Sequence, residues 1–252
     1  MRVPKTEDYS HYGLVLPELL PYTARILPGL LLIGACFALA REPLLRIVAL
    51  VLGFVLIRDA MTPLGFWRIG TSGPAPWLRF ADDAGLLLVF GAVTLLLTAA
   101  VLRLDGELRA LVRWGRPVTA LAGLGGGLLI AGPVLLLSLS VPVAERGGPV
   151  AAGLLPALLF FALSGNLAEE VLFRGLLQGY LERSGPVRAA LLSAVMFAAC
   201  HAYLASTVTD LGWPLLAFTL YEGLICAFLR LRYGVLPAAL AHGLAIFLLA
   251  AG

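Results

Sequence analysis

Long apolar runs, each close to the length that crosses a lipid bilayer, are the feature that most constrains this chain. A membrane-spanning helix needs about 20 mostly apolar residues, and the 252-residue sequence holds eight such candidate runs. They cover residues 24–40, 44–57, 84–102, 117–141, 150–164, 188–204, 212–229 and 234–250. In lipid, only helices and closed barrels satisfy the backbone. We therefore expect an all-α fold, a polytopic membrane helix bundle with about eight transmembrane helices.

The composition excludes several classes of protein. Only 13% of the residues are charged, about half the share in a typical soluble domain, and the mean hydropathy is +0.96. These values exclude an ordinary soluble enzyme and a disordered chain. The net charge of +3 is too small for a surface that reads phosphates, so we expect no nucleic-acid partner. The lipid bilayer is the expected environment.

The distribution of arginine predicts which loops face the cytoplasm. The loop 103–116 contains four arginines, and cytoplasmic loops of membrane proteins carry an excess of basic residues. We therefore place this loop inside, which puts the loops 142–149 and 205–211 on the outer side. Residues 1–23 are expected to form a polar N-terminal leader.

Ionisable residues within the apolar runs point to a functional site in the C-terminal part of the chain. Such residues are costly in a membrane and usually mark function. The ionisable residues that we consider functional candidates all follow residue 163. An amphipathic segment over 166–183, which we expect to pack inside the bundle or dip into it, contributes Glu169, Glu170 and Arg174. Separate runs contribute His201, Glu222 and His242.

The spacing on the amphipathic segment predicts different roles for its two adjacent glutamates. Glu170 and Arg174 are four residues apart, so on a helix they share a face and can pair. Glu169 lies about 100° around the helix and points elsewhere. A desolvated carboxyl group without a full charge partner is suited to act as a general base or a proton carrier. The alternative is an ordinary amphipathic helix at the membrane surface with an incidental acidic pair.

The two histidines have a similar alternative. Taken alone, His201 or His242 could be a core histidine that donates to a backbone carbonyl. A carboxylate and two histidines on three separate helices instead suggest a converging site. Glu222 also needs a partner, either Arg174 or a histidine, unless it is protonated and hydrogen-bonded to a neighbouring helix.

These residues form three ordered motifs: Glu169-Glu170-x-x-x-Arg174, Phe197-x-x-x-His201, and a third that contains His242. The trio resembles the motifs of the CPBP family, the CAAX-type proteases and bacteriocin-processing enzymes that are also described as glutamic intramembrane endopeptidases. The resemblance covers about residues 150–250. It implies that Glu169 is the catalytic carboxylate and that His201 helps it to activate water. It also implies that Glu170 and Arg174 form a structural pair and that His242 lies on the oxyanion side of the site.

One position departs from the family pattern. The third motif commonly reads HxxxN, and here the fourth residue after His242 is Ile246, which has no side-chain donor. Asn166 or Tyr221 could supply the missing donor, and Glu222 is a further accessory candidate. No cofactor is expected. Zinc held by Glu169, His201 and His242 is the alternative that older accounts of the family imply, since one carboxylate and two imidazoles leave a coordination position open.

The resemblance divides the chain into the leader 1–23, N-terminal transmembrane helices over 24–149 and a CPBP-like catalytic core over 150–252. It implies an intramembrane endopeptidase that cleaves in or near a membrane-embedded segment of a protein or peptide, either for maturation or to remove a C-terminal sorting tail. The expected location is a bacterial inner membrane. A catalytically silent scaffold, immunity or regulatory protein is the main alternative. A proton-coupled transporter, which predicts inverted repeats, is less favoured because no such repeat is found.

Overall fold

The computed structural model describes residues 15–61, 66–209 and 211–252. Residues 1–14 of the predicted leader lie outside the described residues, and the first helix begins at Val15, within the leader rather than after it. The helices are α1 (Val15–Leu39), α2 (Pro43–Met61), α3 (Ala84–Leu104), α4 (Gly106–Leu111), α5 (Ala120–Ser138), α6 (Leu155–Glu170), α7 (Gln178–Leu181), α8 (Pro186–Ala199), α9 (Trp213–Tyr233) and α10 (Val235–Ala251). Two strands, β1 (Trp67–Ser72) and β2 (Ala75–Phe80), connect α2 to α3.

The predicted membrane bundle is confirmed. Within the described ranges, six helical segments are long and apolar enough to cross a bilayer, and α10 is a shorter apolar helix. α2 contains Arg46, Arg58 and Asp59 and lies in the same bundle. Each of the eight predicted runs corresponds to one of these helices. The chain is therefore an integral multi-pass membrane protein.

The amphipathic segment predicted over 166–183 does not stand apart from the run before it. It continues α6 through a π-helical stretch, Val171–Leu177, into α7, so that Ala152–Ser184 forms one 33-residue apolar helical segment. Glu170, Arg174 and Gln178 on this segment are fully buried. The charged face therefore packs inside the protein, where its side chains must find polar partners.

Close packing around α10 positions the C-terminal part of the bundle. α10 packs against α5, α6 and α9. A Cβ atom at Gly123 on α5 would lie 2.6 Å from the carbonyl oxygen of Pro237, and one at Gly127 would lie 2.9 Å from that of Ala241. On the other side of α10, a Cβ at Gly243 would lie 2.9 Å from Leu163 Cδ2. Glycine at these positions lets the helix backbones approach each other, as in other membrane bundles.

The β-hairpin and the short helix α4, which lies within the predicted loop 103–116, are elements that the sequence did not predict. β1 and β2 pair in antiparallel register from Trp67 opposite Phe80 to Ser72 opposite Ala75. The two-residue connection begins at Gly73, whose φ of +57° suits the mirror-image turns that join such strands. From β2, Arg79 donates to the carbonyl oxygens of Gly148 and Ala250 at 3.0 and 3.1 Å. The hairpin is therefore tied to the end of α10.

Asp105 lies at the C-terminal end of α3, which is the end remote from the hairpin. Its backbone N–H bonds Val101, and its carboxylate accepts from the backbone N–H of Leu108 at 3.0 Å, so it ends α3 and caps α4. The same carboxylate pairs with Arg46 of α2 at 2.6 Å. One side chain thus fixes the turn and joins it to α2.

Candidate active site

One cavity collects most of the ionisable residues that the sequence places within the membrane. It has a volume of about 250 Å³ and is lined by the hairpin together with residues from the ends and middles of several helices. The predicted site residues that line it are Glu169, His201, Glu222, His242 and Asn166, and Ile246 lines it as well. Within the described part of the chain, Tyr221 is not part of this lining. Its hydroxyl group donates to the carbonyl oxygen of Leu129 at 2.8 Å.

Glu170 and its neighbours form a buried network beside the cavity. Glu170 Oε2 lies 3.2 Å from Arg174 Nε, so the pair that the spacing predicts is formed. Nδ1 of His242 donates to the other carboxylate oxygen, Oε1, at 2.9 Å. His242 Nε2 lies 3.5 Å from Glu222 Oε1. The histidine therefore stands between two carboxylates from two other helices.

This contact identifies the partner of Glu222, for which the sequence left Arg174 and a histidine open. The partner is the imidazole of His242, while Arg174 Nη2 donates to the carbonyl oxygen of the next residue, Gly223, at 3.1 Å. The guanidinium carbon of Arg174 also lies 4.2 Å from the centre of the Phe197 ring. The ion pair, the carbonyl acceptor and the aromatic face offset part of the free energy that the buried guanidinium loses by leaving water, while its Nη1 has no hydrogen-bond partner in the described part of the chain.

His201 lies just beyond the end of α8, in a turn rather than mid-helix. Its backbone N–H donates to the carbonyl oxygen of Ala198 at 2.9 Å. Its ring nitrogen Nδ1 lies 2.8 Å from the carbonyl oxygen of Phe197. Because a carbonyl only accepts, Nδ1 carries the proton, and Nε2 is left as an acceptor. An imidazole in this tautomer, held at a cavity wall, can take a proton from water.

Glu169 differs from its neighbour Glu170 in the way that the helix geometry predicts. Glu170 is fully buried, whereas Glu169 is partly exposed and lines the cavity. In the described ranges its carboxyl group makes no hydrogen bond or ion pair. The π-helical stretch begins at Val171, directly after these two residues. Such departures from regular α-helix are frequent at functional sites.

The donor set predicted for zinc is not preassembled. Among the described residues, the group whose ligand atoms lie within 4.8 Å of one another is Glu170, Cys226 and His242. This is not the set Glu169, His201 and His242, and Glu170 Oε1 already accepts a hydrogen bond from His242. The geometry therefore does not fit a metal shared by the two motif histidines and Glu169.

Arg58 is a cavity residue that the sequence reasoning missed. It lies near the end of α2, where its Nη2 donates to the carbonyl oxygen of Cys200 at 2.6 Å and its Nε to Asp59 at 2.8 Å. It lines the cavity with Glu169 and His201. The sequence signal for Arg58 is its position next to Asp59 at the end of an apolar run. In a sequence, such a pair is hard to distinguish from the charged residues of an ordinary loop.

Comparisons with known proteins agree with the motif resemblance over one part of the chain. Neither the search of curated proteins nor that of solved structures gives a significant match. Residues 151–248 match the family model described as type II CAAX prenyl endopeptidase Rce1-like. The match supports, in general terms, a CAAX-type intramembrane protease that acts on a membrane-associated peptide or protein. It confirms the resemblance to the CPBP family for the segment 151–248.

Proposed function

We propose that the protein is an endopeptidase that hydrolyses a peptide bond in or near a membrane-embedded segment of its substrate. The observation that carries this proposal is the shared cavity of Glu169 and His201. Both side chains come from the motifs that resemble a family of proteases, and both offer groups that can accept a proton. In this glutamic mechanism, water is the nucleophile and no further reactive group is needed.

In the proposed reaction, Glu169 and Nε2 of His201 bind a water molecule and remove its proton as its oxygen attacks the scissile carbonyl carbon. The carbonyl oxygen becomes an oxyanion in the tetrahedral intermediate. The proton then passes to the leaving nitrogen as the C–N bond breaks. Such acid–base catalysis contributes about 10²- to 10⁴-fold to a rate.

His242 is the proposed donor to the oxyanion. Its Nδ1 is held by Glu170, which fixes the ring. Its Nε2 lies 3.5 Å from Glu222, whose Oε1 has no hydrogen-bond partner in the described part of the protein. Between these two carboxylates His242 would be the imidazolium, with a proton on each ring nitrogen, and a contact this long leaves the Nε2 proton available for a better acceptor. Glu170, Arg174 and Glu222 would then be positioning residues that act through His242.

Ile246 bears on the alternative, a catalytically silent protein. It lines the cavity at the place where the family motif commonly has asparagine, so one donor is absent there. Asn166 lines the same cavity and donates from Nδ2 to the carbonyl oxygen of Ala162 at 2.6 Å. The amide has a second N–H, which we propose takes over the missing contact.

The walls of the cavity favour an apolar substrate segment, since most of its other lining residues are aliphatic or aromatic. Cleavage could serve maturation of a peptide or removal of a C-terminal sorting tail. With the loop 103–116 inside, the hairpin and the loop 205–211 lie on the outer side. The site would then receive exported substrates, and we propose a bacterial inner membrane as the location.

The test uses the full chain reconstituted in phosphatidylethanolamine–phosphatidylglycerol vesicles with a pool of synthetic membrane-spanning peptides. Cleavage is followed by mass spectrometry for the wild type, Glu169→Gln and His201→Ala. Glu107→Gln is the matched control, because Glu107 is exposed on α4, which follows the end of α3 remote from the hairpin. We expect each site variant to lose about 10²- to 10⁴-fold in rate and the control to lose nothing.

Two outcomes would contradict the proposal. If Glu169→Gln and His201→Ala cleave like the wild type, the catalytic assignment is wrong. If the folded wild type cleaves no peptide of the pool, and neither variant changes the phenotype of the native cell, the silent scaffold takes its place.

A further inference from the structure

One face of the β-hairpin forms a wall of the cavity. Side chains alternate along a strand, so those of Trp67, Ile69 and Thr71 share a face with the residues opposite them on β2, namely Phe80, Leu78 and Pro76. All six line the cavity. The hairpin is therefore a structured part of the site, although it lies outside the segment that matches the protease family.

The register also determines which backbone groups the hairpin leaves unpaired. The N–H of Ala81 donates to the carbonyl oxygen of Phe66 at 2.9 Å, so these residues form a hydrogen-bonded pair. In an antiparallel ladder such pairs alternate with non-hydrogen-bonded ones. The backbone groups of Trp67, Ile69 and Thr71 consequently point away from β2, along the outer edge of β1.

The outer edge of β2 is closed. Pro76 has no N–H at one of its outward positions, which blunts a strand edge. The carbonyl oxygen of Leu78, at the next outward position, accepts from Arg79 Nη1 at 2.8 Å. β2 also packs against α5 and α10. No further strand can pair on this side.

The outer edge of β1 is open, in contrast to that of β2. Its main packing partner is β2. Across the ranges that the structure describes, no hydrogen bond joins the backbone of Trp67, Ile69 or Thr71 to another group. An extended peptide is the ligand that satisfies such a row of donors and acceptors.

We propose that β1 is the docking strand for the substrate, which binds as a third strand along its open edge. This inference rests on the proposed function and names the form in which that substrate binds: an extended, unwound polypeptide segment with apolar side chains at alternate positions. A strand added to β1 continues the cavity-facing surface of the hairpin. Its alternate side chains would enter the apolar cavity, and its backbone would lie beside the wall that Glu169 and His201 share.

Extended binding is also what the chemistry requires. In a helix, each peptide carbonyl is hydrogen-bonded within the segment and wrapped by side chains. A scissile bond must be free of this pairing before a nucleophile can approach its carbonyl carbon. Main-chain bonds to β1 would compensate the segment for the helical bonds that it loses.

The protein-side test is Ile69→Pro, which removes one outward N–H. Proline is tolerated on an edge strand at a position that does not donate to the ladder, as Pro76 already shows on β2. Ile69→Ala is the matched control, because it removes the side chain and keeps the N–H. With a peptide of the pool that the wild type cleaves, we expect Ile69→Pro to raise KM about tenfold with kcat little changed. Ile69→Ala should have the smaller effect.

A substrate-side test avoids any change to the protein. N-methylation at successive positions of the cleaved peptide should weaken cleavage with a period of two, because alternate N–H groups of an added strand face β1. Equal sensitivity at every position, or none, would overturn the docking strand while leaving the protease intact.

Binding is measured separately from cleavage by amide hydrogen exchange in Glu169→Gln. We expect the pool to slow exchange at Ile69 and Thr71, whereas Gly70 and Ser72 are already protected by β2. Protection without wild-type cleavage would support docking and contradict the proposed function. Cleavage without protection would support the function and overturn docking. Neither result would overturn both.

Discussion

Replacing Arg174 with methionine should destabilise the protein strongly. The change keeps an unbranched side chain and removes the charge opposite Glu170 Oε2, 3.2 Å away. Breaking a buried ion pair on one side costs about 3–5 kcal/mol. We expect the lower end of this range, because His242 still donates to Glu170 Oε1 at 2.9 Å. The carbonyl oxygen of Gly223 also loses its donor, which adds to the cost.

The double variant Glu170→Gln/Arg174→Met separates the pair from general disruption of the core. It leaves no unpaired charge of this pair, so its free energy of unfolding should exceed the value expected from adding the two single losses. The coupling should be about 0.5–3 kcal/mol, the range for contacting residues.

The assay is the free energy of unfolding in lipid bicelles for the wild type, both single variants and the double variant. Arg103→Met, an exposed change in the last turn of α3, is the control and should stay within about 0.5 kcal/mol. A loss below about 1 kcal/mol for Arg174→Met, well short of the range for a broken buried pair, would refute the reasoning. Strict additivity in the double variant would refute it as well.

Three further predictions concern packing, the missing donor and a cap. Gly243→Ala should cost about 1–3 kcal/mol of unfolding free energy, because the new Cβ would lie 2.9 Å from Leu163 Cδ2; Gly125→Ala, with nothing within 4 Å, is the control and should cost nothing. Asn166→Ala should lower kcat in the vesicle assay by up to about 10²- to 10³-fold, the worth of one donor to an oxyanion, and Ile246→Asn should restore kcat in that background; an unchanged kcat for Asn166→Ala would show that Asn166 does not supply the missing donor. Asp105→Ala should lower the unfolding free energy by about 1 kcal/mol or more, and Asp105→Asn, which keeps the cap and loses only the charge, should lower it less; equal losses would contradict the role of the cap.

The pairing within one helix could be predicted from the sequence, because the spacing of Glu170 and Arg174 determines their relative direction. The same geometry separates Glu169 from Glu170. The partner of Glu222 could not be chosen in advance. Its contact with His242 depends on how α6, α9 and α10 are rotated against one another, and this rotation is set by packing such as that at Gly243.

The sequence contains signals for the hairpin, although they did not lead to its prediction. Trp67, Ile69 and Thr71 alternate with more polar or smaller residues, and the glycine–proline turn at Gly73 is a known strand connector. The segment is short and lies between two strong apolar runs, so its period of two is easily overlooked. Arg79 added to the difficulty, because a basic residue between spans suggests a loop charge, whereas its guanidinium is buried against the end of α10.

The open edge of β1 sets the depth at which the protein sits in its bilayer. Unpaired N–H and C=O groups are not tolerated against hydrocarbon, so this edge must lie where water reaches it. The exposed residues Asp82 and Asp83 follow directly, and Asp83 caps the start of α3. The hairpin thus marks the boundary between lipid and water on its side of the protein. Since its inner face lines the cavity that Glu169 also lines, the candidate active site lies close to this boundary.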